Sequence, residues 1–328
     1  MTGITGNRQS KKCMDYRQKL TFLLNGKGDT MFLPKKPIHK KMKLRTGEAL
    51  AGVLFALPSL SGFLLFFTVP FFMSLYYCFT EGISRSEFVG LKNFKSLLQS
   101  GSFLLAAKNT LIFNAVGLPL IMVLSLAFAM LLNSKIRGLR YYRSFFILPL
   151  VIPVASTILV WQIIFNEHGA LSSLFESFGL RSVDWINSEW SVAVLVLLYI
   201  WKNCGYNVIL FLAGLNSIPK EYYESARIDG AGSWICLTKI TLPFLVPTGF
   251  FVFIISIINS LKVFRESYQL AGSYPDMHIY MLQNFMNNNF ANLNYQRLST
   301  AAFLMFLVIG LLVFILFKFE SRIGRDME

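Results

Sequence analysis

Six long apolar runs alternate with polar segments along the chain. A helix needs about 20 apolar residues to cross the hydrocarbon core of a bilayer, and the runs approach or exceed this length. The pattern therefore predicts an all-α polytopic membrane protein with six transmembrane helices, which together form one domain over residues 49–319. The predicted spans are 49–79, 107–132, 144–165, 191–213, 243–259 and 298–319.

Prolines lie inside several of these predicted spans. The first run contains Pro58 and Pro70, and the third has Pro149 and Pro153 near its start. Membrane helices tolerate proline where neighbouring helices satisfy the freed carbonyl groups. Each run is therefore expected to form a single span. A short helix is expected at 88–98, between the first and second predicted spans.

The composition agrees with a membrane protein and explains the charge. The chain is 54% hydrophobic and has a formal net charge of +14. Twelve of its 31 Lys and Arg residues precede Glu48, and four more lie in the short segment 133–143. Such clustering is typical of the positive-inside bias of bacterial cell membranes rather than of nucleic-acid binding. Residues 1–48 are thus expected to form a basic cytoplasmic arm, and 320–328 a cytoplasmic tail.

No pattern of catalytic or metal-binding residues emerges. The four cysteines form no CxxC pair, and the three histidines are scattered. The Gly26–Lys27 pair lacks the earlier glycine of a phosphate-binding loop. We therefore expect no catalytic residues, no metal and no cofactor, and we do not expect the chain to be an enzyme.

The polar segment 218–243, between the fourth and fifth runs, has an unusually defined pattern. It opens at Pro219 and continues as a charged helix-compatible stretch as far as Gly230, where a glycine frees the backbone to turn. Trp234, Leu237 and Ile240 then recur at helical spacing and could bury against the bundle. The segment is expected either to contact another protein or to be an ordinary loop with a solvated Glu224.

The spacing within this segment resembles a known family signature. Glu-Ser-Ala at 224–226 is followed after three residues by Gly230, and after nine more by Ile-Thr-Leu-Pro at 240–243. This resembles the EAA loop of permeases in binding-protein-dependent ABC importers, in the carbohydrate-uptake, maltose-type branch. Ser225 stands where that family usually has alanine. The resemblance implies a type I ABC importer permease fold and a cytoplasmic ATPase-coupling role for Glu224, Ser225, Ala226, Asp229, Gly230 and Ala231.

The same resemblance implies a set of partners. These are two separate cytoplasmic ATPase subunits, an extracytoplasmic solute-binding protein and a second permease subunit, which makes a heterodimer or, alternatively, a homodimer. The implied mechanism is alternating access, with a sugar or oligosaccharide as the solute.

Polar side chains inside the fourth and fifth spans are candidates for the solute pathway. Tyr199, Asn203 and Tyr206 share a helical face, with Lys202 beside it. Amides, hydroxyls and aromatic rings suit sugars, although the same groups also form hydrogen bonds between membrane helices. The predicted pathway residues are Asn203, Tyr206, Ser256, Asn259 and Ser260.

Two other functions remain open on the sequence. One is the same machine for another solute, such as a polyamine, a peptide or a phosphate ester, and Lys202 leaves room for an anionic sugar derivative. The other is an ion-coupled secondary transporter, which would use carboxylates within its spans. The six apolar runs contain no Asp or Glu, which argues against coupling to protons. Nothing in the sequence supports a membrane scaffold without transport.

Overall fold

The computed structural model describes the backbone of residues 46–82, 87–134 and 139–325, and side chains within 51–82, 87–134 and 145–318. The predicted basic arm lies outside the described residues except at 46–48, where a helix has already begun. The last three residues of the predicted tail also lie outside them.

The described chain is almost entirely helical. Its helices are α1 Thr46–Phe63, α2 Val69–Cys78, α3 Lys92–Leu98, α4 Gly101–Asn133, α5 Leu139–Val151, α6 Val154–Phe165, α7 Ala170–Ser177, α8 Ser191–Ser217, α9 Lys220–Ile228, α10 Ser233–Cys236, α11 Leu242–Leu261, α12 Phe264–Ala271, α13 Leu282–Ala291 and α14 Tyr295–Arg325. Two π-helical turns, Leu64–Thr68 and Leu237–Thr241, precede α2 and α11. A minimal antiparallel pair, β1 Thr80–Glu81 and β2 Glu87–Phe88, precedes α3.

Five helical segments of the described chain are long and apolar enough to cross a membrane, and a bent helix pair makes a sixth if it counts as one span. This confirms the predicted all-α polytopic fold. The five segments are Ala51–Cys78, Gly101–Asn133, Ser191–Ser217, Ser233–Ala271 and Tyr295–Lys318.

The third predicted span is not one continuous helix. It is broken between Val151 and Val154, and the axes on either side differ by 106°. Pro153 has no N–H to continue the helical ladder and stands in an extended conformation directly before α6. The predicted third span, 144–165, thus corresponds to a bent pair of helices, α5 and α6, with its break at Pro153.

The chain divides into two compact units, 1–62 and 63–328. In the first unit, α1 presents apolar side chains such as Val53, Leu54 and Phe55 outward, as a lipid-facing helix would. In the second unit, α8 is the central helix and packs against α4, α5 and α11. Its fully buried side chains include Leu195, Leu198 and Val208.

Close packing around α8 depends on small residues. A Cβ atom added at Gly205 would collide with the carbonyl oxygen of Phe146 in α5. One added at Gly214 would lie 2.6 Å from the Thr248 hydroxyl oxygen of α11. Small residues allow membrane helices to approach closely, which increases their van der Waals contact.

Candidate functional site

The connector between α8 and α11 is built as a helix, a tight turn and a second helix. α9 starts after Pro219, which is extended and has no N–H to lose, and Glu221 lies in its first turn beside the positive end of the helix dipole. The connector continues through α10 and the π-helical turn Leu237–Thr241 before α11 begins.

Gly230 closes α9 by a Schellman motif. Its φ angle is +78°, a left-handed conformation that side chains disfavour. Its N–H donates to Arg227 O at 3.1 Å, and the Ala231 N–H donates to Ala226 O at 2.8 Å. The predicted turn at Gly230 therefore exists for the physical reason that the sequence indicated.

Two contacts join α9 to the start of α11. The Tyr223 hydroxyl oxygen lies 2.9 Å from the Thr241 hydroxyl oxygen. The centroids of the Tyr222 and Phe244 rings are 4.9 Å apart. Tyr223 and Thr241 also line a cavity of about 420 Å³ beneath the connector, together with residues of α4 such as Met130. The connector is therefore held against the end of the bundle.

Four of the six predicted coupling residues are exposed on this connector. Glu224, Ser225, Asp229 and Gly230 are exposed, whereas Ala226 and Ala231 are half-buried. Ser225 donates its hydroxyl hydrogen to Glu221 O at 2.8 Å, within α9.

One expectation for the connector was wrong. Trp234 does not bury against the bundle but is 73% exposed, and Ile228 is 87% exposed. Leu237 and Ile240 are half-buried. Trp234 does lie at helical spacing from Leu237 and Ile240. The turn at Gly230, however, leaves the first residues of α10 beyond the end of the bundle. The connector therefore exposes large apolar side chains, Ile228 and Trp234 among them, in the same stretch of chain as Glu224 and Asp229.

A second polar region lies within the bundle. Asn203 of α8 and Asn259 of α11 line a cavity of about 160 Å³, and the Asn203 side-chain amide donates to Tyr199 O at 2.9 Å. At 1.5 Å per residue, the cavity lies about 20 Å along α8 from the connector. The fold thus brings two of the predicted pathway residues to one cavity.

The other predicted pathway residues do not line it. Ser256 is buried and accepts a hydrogen bond at 2.9 Å from the side-chain amide of Asn207, while Tyr199 donates to Ser256 O at 2.8 Å. Ser260 donates to Ile257 O within its own helix at 2.7 Å. These bonds are the helix-to-helix and intrahelical alternatives that the sequence left open. Tyr206 is half-buried and lies outside the described lining of this cavity.

Sequence reasoning missed Glu266 as a residue of this region. Glu266 lies beyond the predicted end of the fifth span, yet α12 returns it to α8, where it forms an ion pair with Lys202. The side chains are only 15% and 8% exposed, for Lys202 and Glu266 respectively. The lysine itself was the available signal, because a cation inside a span requires a partner.

Within the parts of the chain whose structure is described, no three His, Cys, Asp or Glu residues come together as a group that could hold a metal ion.

A bundle of membrane-crossing helices with a polar cavity inside and a shaped connector at one end defines a membrane-embedded transporter subunit. The family model described as "Binding-protein-dependent transport system inner membrane component" matches residues 121–323, more than half of the chain. The chain belongs to this family, the permeases of binding-protein-dependent ABC importers. The resemblance of the 224–243 motif is thereby confirmed, and so is the expectation of a transport subunit rather than an enzyme.

Individual relatives agree with this assignment. The probable ABC transporter permease protein YesP of Bacillus subtilis (strain 168) is 31% identical over 293 residues, which cover 86% of this chain and 94% of YesP. The trehalose/maltose transport system permease protein MalF of Thermococcus litoralis is 30% identical over 290 residues, covering 87% and 98%. This membership favours the ATP-driven importer over an ion-coupled secondary transporter.

A solved structure shows the same fold. A chain of a bacterial ABC transporter involved in the import of the acidic polysaccharide alginate superposes with a TM-score of 0.71 at 23% identity. The match covers 85% of this chain and 97% of that chain.

Proposed function

We propose that this permease subunit imports a sugar or oligosaccharide by alternating access, driven by a separate cytoplasmic ATPase that grips the connector α9–α10. A solute-binding protein would deliver the solute from outside, and a second, related permease subunit would complete the pathway. Relatives such as the trehalose/maltose permease support the sugar. The amides of Asn203 and Asn259 in the bundle cavity support a polyhydroxyl solute.

The geometry of the connector is the observation that carries the coupling role. The end of α9 carries the exposed charges Glu224 and Asp229 together with exposed Ile228, and exposed Trp234 follows after the turn. Exposed large apolar side chains next to charges are typical of protein interfaces. Because Tyr223 contacts Thr241, a displacement of α9 would pass directly to the start of α11.

The proposed orientation places the connector and both termini in the cytoplasm. Two crossings, the bent third span and α8, separate the basic segment 133–143 from the connector. The two therefore lie on the same side of the membrane. The cavity lined by Asn203 and Asn259 then lies toward the outer half of the bundle.

Reconstitution of the whole importer tests this function. The chain, its second permease, the ATPases and the solute-binding protein are assembled in proteoliposomes, and ATP hydrolysis and uptake of radiolabelled maltotriose and other saccharides are measured. Glu224→Lys reverses a charge at the proposed ATPase contact, and Gly230→Trp adds a bulky ring to a left-handed position. We expect either variant to insert normally but to lower saccharide uptake about tenfold or more relative to ATP hydrolysis. Glu224→Lys loses a charge-assisted contact, and Gly230→Trp distorts the turn that presents α9.

Glu176→Lys is the matched control for the charge reversal, because Glu176 is an exposed carboxylate of α7, remote in sequence from the connector. It is expected to leave uptake unchanged. Normal uptake by Glu224→Lys and Gly230→Trp would remove the coupling role. Uptake by this chain alone, without an ATPase, would remove the proposed mechanism.

A further inference from the structure

The cavity in the bundle has an uneven charge content. Residues of α5, α8, α11 and α12, with the short turn between the last two, line it. The lining contains three cations, Lys202, Lys262 and Arg265, and one carboxylate, Glu266. The formal charge of the lining is therefore positive by two units.

Glu266 is only half satisfied by its ion pair. Its Oε1 atom bonds the Lys202 ammonium group, while its buried Oε2 atom has no hydrogen-bond partner among the described residues. An unpaired buried acceptor costs free energy, and the Lys202 ammonium group offsets part of that cost. Because Oε2 is enclosed by protein, Glu266 acts as the buried counter-ion of Lys202 and does not contact the contents of the cavity.

Lys262 and Arg265 stand differently at the same cavity. Both are exposed, and within the described part of the chain no carboxylate lies within ion-pair distance of either. Guanidinium and ammonium groups bind carboxylates and phosphates by charge-assisted hydrogen bonds. The field of a charged cleft is also stronger than that of the same charges on a flat surface. These two side chains point to an acidic group on the ligand.

Building on the proposed function, we infer that the solute is an anionic sugar, a uronate or a phosphorylated sugar. Its acidic group binds Lys262 and Arg265. The cavity, at about 160 Å³, is smaller than the roughly 300–1,000 Å³ of drug-sized ligand sites. Its size therefore suits a single sugar unit better than a whole oligosaccharide. Lys202 holds Glu266 in place and does not itself attract the anion.

The uptake profile of the complete importer in proteoliposomes tests this inference. The acidic probes are digalacturonate and glucose 1-phosphate, which separate a carboxylate from a phosphate, and the neutral probes are galactobiose and maltotriose. We expect uptake of an acidic probe to exceed that of the neutral ones. Uptake of neutral saccharides alone would overturn the inference and leave the sugar importer standing. ATP-driven uptake of non-saccharide solutes only would overturn both.

Two exposed-site variants then test the named cations. We expect Lys262→Gln and Arg265→Gln each to lower uptake of the acidic probe about tenfold, because each removes a charge-assisted contact with the solute. Arg181→Gln is the matched control, because Arg181 is equally exposed but does not line the cavity. The concentration of loaded binding protein that gives half-maximal ATP hydrolysis should stay unchanged. An increase in that concentration would show that the residue docks the binding protein. An effect on uptake no larger than that of Arg181→Gln would show that the residue has no role in transport. Either result would overturn the inference.

Discussion

Two glycines are required for different physical reasons. Gly230 has a φ angle of +78° and open space around it, so its restriction lies in the backbone. Gly205 has an ordinary helical backbone, but Phe146 of α5 occupies the place of a side chain. The first requirement is visible in the local sequence, since a glycine that ends a charged helix predicts a left-handed turn. The second depends on which helix comes to lie against α8.

Replacement of Gly230 by alanine should strain the connector. A left-handed conformation costs a residue with a side chain about 1–2 kcal/mol. We therefore expect Gly230→Ala to lower sugar uptake several-fold in the reconstituted importer. Gly232→Ala, two residues further on, has a φ of −72° and open space, and should transport normally. Equal uptake by the two variants would contradict the need for this turn.

Replacement of Gly205 by alanine should loosen the contact between α5 and α8. The obstructing atom belongs to the backbone and cannot rotate away, so we expect a loss of about 1–3 kcal/mol in unfolding free energy. Thermal unfolding of the detergent-solubilised protein, followed by fluorescence, measures it. Gly310→Ala in α14 is the control, because a Cβ atom there meets nothing within 4 Å. If the melting temperature drops no further for Gly205→Ala than for Gly310→Ala, the close approach of α5 to α8 does not contribute to stability.

Among the elements, α8 and α11 are joined by buried polar contacts. Asn207 and Ser256 meet side chain to side chain, and the Tyr199 hydroxyl reaches the Ser256 carbonyl. A periodicity argument places such residues on the inner face of a span but cannot tell a solute contact from a helix contact. The packing of the two helices decides between these two roles. For Ser256 it favours the contact with α8.

The Asn207–Ser256 bond should contribute measurably to stability. Hydrogen bonds between membrane helices are worth about 0.6 kcal/mol on average and up to about 1.7 kcal/mol. We expect Asn207→Leu and Ser256→Ala each to destabilise the protein by about 1 kcal/mol. The double variant should be less destabilised than the sum of the two, as measured by thermal unfolding. Strict additivity would show that the two side chains do not interact.

The break in the third span is also an element-scale result. Two prolines four residues apart, Pro149 and Pro153, were visible in the sequence, but only Pro153 interrupts the helix. Pro149 remains inside α5. A membrane helix continues through a proline or ends at it, depending on whether its neighbours supply partners for the freed carbonyl groups. These contacts are not encoded near the proline.

At the scale of the whole molecule, the connector and the 170–190 segment must lie on opposite sides of the membrane. They are separated by one crossing, α8. In a background with the native cysteines replaced, Ser233→Cys and Ser177→Cys are matched single labels on exposed serines of α10 and α7. We expect a membrane-impermeant maleimide to label Ser177→Cys in intact spheroplasts and Ser233→Cys only after permeabilisation. The reverse pattern would invert the proposed orientation and remove the connector from the ATPase.

The sequence by itself determined the spans and the connector, because both are local. Apolar length decides whether a segment can leave water, and Glu224, Gly230 and Pro243 stand at spacings that one stretch of chain encodes. Only the tertiary structure decided the bundle cavity. Glu266 is 64 residues from Lys202 along the chain, and Asn259 lies 56 residues from Asn203. A polar residue in a membrane bundle acquires its role from the partner that packing brings to it, and that partner is set by helix crossings rather than by local pattern.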